Sequence, residues 1–167
     1  FNNQEANLWK EALKYNKRAV NFYSDIVGEY PYSTVSVVQG LYRGCDMEYP
    51  MVTVIGEANY DGGLDNVITH EIGHNFGAEH THDYCPPFDE CSTTFGTCQT
   101  QRNCQKSTLM SYCHTCAGGL NRITPDFEAY LATVMRRAAA DSCLTEVVLN
   151  PGDTMRFTVT YEPLVPG

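Results

Sequence analysis

The stretch His70-Glu71-Ile72-Gly73-His74-Asn75-Phe76-Gly77-Ala78-Glu79-His80 decides how this chain is read. His70 and His74 stand four residues apart, one helical turn plus about 40°, so on a helix both imidazoles point from one face toward a single ion. A borderline-soft cation such as Zn2+ suits that pair. Glu71 falls about 100° round the helix from His70, outside the ligand set yet close enough to take a proton from a water that the ion activates. Two histidines leave the ion short of ligands. Gly77 reaches positive φ at no steric cost, so the chain can leave the helix sharply there and return His80 to the ion, giving three imidazoles and an open fourth position. Five specified residues at fixed offsets recur by chance well below about once in a million positions, so a scatter of unrelated surface histidines is set aside.

Working outward, Leu64, Val67, Ile68, Ile72 and Phe76 mark a helix over Leu64 to Phe76 that carries the two histidines, ended by Gly77. Upstream, Leu8 to Val27 has the same three- and four-residue spacing and reads as one helix, stopped by Gly28 and Pro31. Thr34 to Val38 and Met51 to Ile55 are short, rich in valine, threonine and isoleucine, and read as strands, with Leu41 to Pro50 a bent connection between them. Downstream, Thr81 to Ser107 lacks periodicity and reads as an irregular loop stapled by cysteines. Thr124 and Pro125 look like the cap and first residue of a last helix with Phe127, Tyr130, Leu131, Val134, Met135 and Ala138 on its apolar face. Met155 to Tyr161 is a further strand candidate.

The chain has 167 residues, which suits one domain and allows roughly 70% of the unfolded surface to be buried. Its 20 acidic against 11 basic residues, with no basic cluster, set aside nucleic acid and anionic membranes as partners. Apolar runs such as Met51 to Ile55 are far short of the ~20 residues that cross a bilayer, so no membrane insertion is expected. Eight cysteines, an even number, point to disulfides and an oxidising compartment. A secreted chain beginning at Phe1 implies a signal, and a possible propeptide, absent from this sequence.

The residues from His70 to His80 match the long zinc signature of the metzincin metallopeptidases, and Thr108-Leu109-Met110-Ser111-Tyr112 resembles their methionine turn, in which the methionine forms an apolar floor under the zinc histidines. From His74 through Cys143 the chain looks most like adamalysins, also called reprolysins, with one departure: Thr81 follows the third histidine where they usually have aspartate. Phe22-Tyr23-Ser24-Asp25, Val35 to Gly40, Met47-Glu48-Tyr49-Pro50 and Leu64 to Ile68 also resemble aminopeptidase-N-like gluzincins. Those take a third ligand from a glutamate on a later helix, some twenty residues on; Glu90 is the glutamate nearest that distance and lies in the cysteine loop, so His80 decides for the metzincin site.

The resemblance implies an α+β, zincin-like domain, a small mixed sheet packed on helices with a disulfide-stapled C-terminal subdomain. Residues 1–149 would form it, 1–80 as the upper part with the zinc helix and 81–149 as the lower, leaving 150–167 as an edge strand or the start of a following module. The 69 residues before His70 are few for the sheet of this clan. Met51, Val52, Thr53 and Val54 would be the edge strand that pairs with substrate. One Zn2+ on His70, His74 and His80, with Glu71 as general base, Gly77 and Met110 in support, implies a secreted, monomeric endopeptidase acting on peptides or proteins. Tyr112 resembles the tyrosine that astacins and serralysins place near zinc, as ligand or oxyanion donor; a tyrosine packed in the core is the equal alternative. If Glu48 acts as its counterpart in aminopeptidases does, it grips a free amino terminus; a zinc-stabilised binding module without catalysis is the third reading.

Cys45, Cys85, Cys91, Cys98, Cys104, Cys113, Cys116 and Cys143 are expected in disulfides rather than in a redox or zinc-holding Cys113-x-x-Cys116 pair. Eight cysteines allow 105 connectivities. Adamalysins imply Cys45 with Cys143, and the others joining the loop to the segment after the Met-turn. His82 and His114 lie near the signature and the Met-turn without an assigned role.

Overall fold

Apolar residues at helical spacing build the scaffold behind the site. The computed structural model describes residues 6–40, 46–56, 63–94 and 98–141. The N-terminal periodic segment forms two helices, α1 (Ala6–Trp9) and α2 (Ala12–Ile26), rather than the single helix expected. The three-residue step from Trp9 to Ala12 carries the apolar rhythm through the break, so periodicity alone does not register it. Gly28 ends the segment at φ 134°.

α2 packs along α3 (Leu64–Asn75), the helix that bears His70 and His74. Tyr23 is the hinge of that contact: fully buried, it lies against Phe76 and Phe127 at ring separations of 5.2 and 5.0 Å and donates its hydroxyl hydrogen to Thr69 O at 2.8 Å. Ile68, Ile72, Met110, Leu131 and Met135 complete the same buried cluster, which therefore draws on both halves of the chain. Arg18 of α2 pairs with Asp65 in the first turn of α3, a partly exposed contact of modest weight.

Among the described residues the sheet has three strands, β1 (Ser36–Gln39), β2 (Met47–Tyr49) and β3 (Val52–Ile55), in the order β1-β3-β2. β1 runs parallel to β3, with Ser36 opposite Val52, and β2 runs antiparallel to it, with Glu48 opposite Thr53. This corrects the expected edge strand: β3 is hydrogen-bonded on both sides, so Val52, Thr53 and Val54 have no free backbone groups to offer, and among the described residues the outer strand next to α3 is β2. Met51 is not a strand residue at all, but turns the β2–β3 hairpin after Pro50 with φ 67°. β2 escaped the sequence reading because its three residues are all exposed and show no alternation.

The last helix, α4 (Ala129–Asp141), begins later than Thr124 and Pro125 suggested. Thr124 Oγ1 donates to Ser107 O at 3.0 Å instead of capping, and Thr124 N donates to the same carbonyl at 2.8 Å. Short 3-10 turns at Cys113–Thr115 and Gly119–Arg122 lie between the Met110 turn and α4. Disulfides Cys91–Cys113 and Cys104–Cys116 join the loop to the segment after Met110, as expected; Cys85–Cys98 instead closes a ring within the loop. Cys45, Cys143 and the strand candidate Met155 to Tyr161 lie outside the described residues. The described residues thus form an α+β fold, a small mixed sheet and helices with a disulfide-stapled lower part.

Candidate metal centre

α3 delivers two histidines and its termination delivers the third. Gly77 N donates to His74 O at 2.8 Å and Ala78 N to Gly73 O at 3.2 Å, the paired bonds of a helix end turned by a left-handed residue, here Gly77 at φ 87°. The reversal returns His80 to the helix face. His74 Nε2 lies 3.3 Å from His70 Nε2 and 3.2 Å from His80 Nε2. A potential ligand atom from each of the three falls within 4.8 Å of the others.

The chemistry of this donor set fits a cation. His70 Nδ1 faces Leu109 O at 2.7 Å and His74 Nδ1 faces Ala78 O at 2.6 Å; a carbonyl only accepts, so each Nδ1 carries a proton and each Nε2 is the ring atom left to face the other histidines. His80 Nδ1 faces Asp83 Oδ2 at 3.3 Å with the same consequence. Burial, reinforced by the neighbouring imidazoles, pushes His70 well below the ordinary histidine range and His80 to about 4, so neither blocks its lone pair with a proton at neutral pH. Bare lone pairs facing at such distances repel unless a cation lies between them. Three nitrogens at about 2.0–2.1 Å from a tetrahedral zinc would stand about 3.3 Å apart, close to the 3.3 and 3.2 Å of the two Nε2 pairs.

Glu71 is buried beside them, and burial together with the charges of Asp46 and Glu48 pushes its carboxyl to about 8 in the absence of a cation. β2, which carries Glu48, packs against α3. The Tyr112 ring lies 4.4 Å from His80 and 6.0 Å from His70, and burial, then Glu71, raises its phenol above the usual tyrosine range. Met110 is fully buried on a turn closed by Ser111 N to Thr108 O at 3.1 Å, and its carbonyl accepts from Thr81 N at 3.1 Å, directly after His80. His82 is stacked on His80, while His114 sits on the short 3-10 turn with Nδ1 3.3 Å from Ser111 O.

Gly73 was missed in the sequence. A Cβ there would meet Met110 Sδ at 2.5 Å and Tyr23 Oη at 2.7 Å, so only glycine lets the methionine and the tyrosine close on the histidine helix. The available signal was a glycine in a helix interior, which costs about 1 kcal/mol against alanine unless something approaches closely. Asp89 was missed too: buried, it accepts from Thr81 Oγ1, from Ser107 Oγ at 2.7 Å and from Cys91 N at 3.0 Å, lashing the cysteine loop to the residue after His80.

A helix presenting two histidines to a third beyond a glycine turn, beside an open antiparallel strand, defines a zincin-like metallopeptidase domain. A reprolysin-type profile described as metallo-peptidase family M12 matches residues 21–124. The chain belongs to that family, and its substrates are accordingly peptides or proteins. No curated protein and no solved structure matches it. Among the described residues no helix is long and apolar enough to cross a membrane.

Proposed function

We propose that this chain is a secreted, zinc-dependent endopeptidase in which His70, His74 and His80 hold the ion and Glu71 is the general base. The observation that carries the reading is the approach of His74 Nε2 to the Nε2 atoms of His80 and His70, at 3.2 and 3.3 Å. His70, His74 and His80 would hold a zinc ion there, which would supply the Lewis acidity that polarises a scissile carbonyl and lowers the pKa of a water toward ~7. Glu71 takes that water's proton, keeps it in a buried pocket, and returns it to the leaving amine. The substrate extends along the edge of β2 that has no strand partner among the described residues, and backbone groups between Met47 and Tyr49 set the register. Tyr112 donates its hydroxyl hydrogen to the oxyanion. Met110 forms the floor beneath the histidines and Gly77 sets the return of His80. We take residues 1–149 as the domain, and the three disulfides support an oxidising, extracellular setting.

Digestion of a peptide library by the wild type, Glu71→Ala and chelated protein tests this. Internal cleavage of amino-terminally blocked peptides by the wild type alone supports the reading. Cleavage confined to free amino termini would instead assign Glu48, on the exposed β2 edge, to binding the substrate amine. Undiminished cleavage by Glu71→Ala would sink the mechanism.

A further inference from the structure

His80 is held differently from the other two histidines. His70 and His74 use backbone carbonyls as Nδ1 partners, whereas His80 Nδ1 faces the Asp83 carboxylate at 3.3 Å. The path between them is short. Asp83 N donates to His80 O at 3.0 Å, closing a turn that folds the carboxylate back over the ring three residues before it. His82, 4% exposed, lies nearly parallel to the His80 ring, 18° off and 5.3 Å away, with Nε2 3.6 Å from the other Asp83 oxygen. One carboxylate thus stands against two stacked imidazoles.

We propose that Asp83 is a positioning residue for the metal centre, fixing His80 as the Nδ1–H tautomer and lending negative charge to the ligand set, with His82 as the wall that keeps ring and carboxylate in register. The proposal rests on His70, His74 and His80 being the metal site. A carbonyl orients an imidazole but carries no net charge. A carboxylate also raises the donor strength of the far nitrogen, and losing such a partner typically costs 10–100-fold in metal affinity. Three neutral imidazoles leave a dication's charge whole; Asp83 alone among the three Nδ1 partners offsets part of it. Asp83 is also 38% exposed, so replacing it removes the interaction without opening a cavity. Ligand atoms of His80, His82 and Asp83 lie within 4.8 Å of one another, but a second ion there would require His80 to give up both ring protons while serving the first.

The test is zinc titration of the metal-free wild type, Asp83→Ala and Asp83→Asn against a chromophoric chelator, with metal stoichiometry and the unfolding midpoint of each metal-free protein. The expected result is one zinc per chain, bound about 10–100-fold more weakly by Asp83→Ala and with an intermediate loss in Asp83→Asn, which keeps an acceptor oxygen but no charge, at unchanged midpoints. Equal affinity in Asp83→Ala overturns the proposal. Two zinc ions in the wild type falling to one in Asp83→Ala overturn it in favour of a second ion. A wild type whose affinity survives His74→Ala refutes the metal centre itself, and this proposal with it.

Discussion

Replacing Gly73 with alanine sets two effects of known size against each other. Helix propensity alone favours the change by about 1 kcal/mol, because alanine surrenders less backbone entropy in a helix interior. Packing opposes it: the new methyl would stand 2.5 Å from Met110 Sδ and 2.7 Å from Tyr23 Oη, both on fully buried side chains. Met110 can shift only into occupied space, and Tyr23 is rigid and tied to Thr69 O at 2.8 Å. Overpacking costs about 1–3 kcal/mol and the strained hydrogen bond about 1 more, so packing wins by about 1–3 kcal/mol. Thermal unfolding of the metal-free protein should show the midpoint falling by about 2–12 °C. Zinc affinity should fall with it, since the shift lies between His70 and His74. A midpoint equal to or above that of the wild type would mean that propensity decides, and that Met110 does not press on the histidine helix.

Glu71→Ala should lower the turnover of a blocked peptide by about 100–10,000-fold while zinc content, measured by metal analysis, stays at the wild-type level. Gly77→Ala places a β-carbon at φ 87° and should cost about 1–2 kcal/mol in denaturant unfolding, with weaker zinc binding because His80 is displaced. Replacing both Cys91 and Cys113 by serine opens a cross-link spanning 22 residues, and calorimetry should show a loss of about 2–4 kcal/mol. Phe substitution of Tyr112 should reduce kcat more than KM, a split that a merely packed ring would not produce.

The histidine cluster was legible because the requirements of a metal site fix both residue type and spacing. Two histidines at helical spacing, a glycine where φ must turn positive and a third histidine three residues later leave few other readings, and the structure brings all three imidazoles together. What failed to show was whatever depends on distant partners. Met51 to Ile55 was expected at the edge of the sheet and Val52–Ile55 lies at its centre, because β2 is three exposed residues without alternation and only its pairing with Val52–Ile55 reveals the strand order. Thr124 looked like a helix cap because its hydroxyl could serve one; Ser107 O, seventeen residues away, claims it instead. Cys85 paired within its own loop, a choice that spacing does not encode. Gly73 and Asp89 matter through Met110, Tyr23, Thr81 and Ser107, all beyond the one-turn spacing that local pattern rules read.

The most direct check on the account is X-ray absorption of the zinc-loaded protein at the metal edge, read together with stoichiometry. It should give one zinc per chain with three imidazole nitrogens at about 2.0–2.1 Å and an oxygen completing the set, and each of His70→Ala, His74→Ala and His80→Ala should lose that signature. Sulfur in the coordination shell, or a spectrum unchanged by those substitutions, would contradict it.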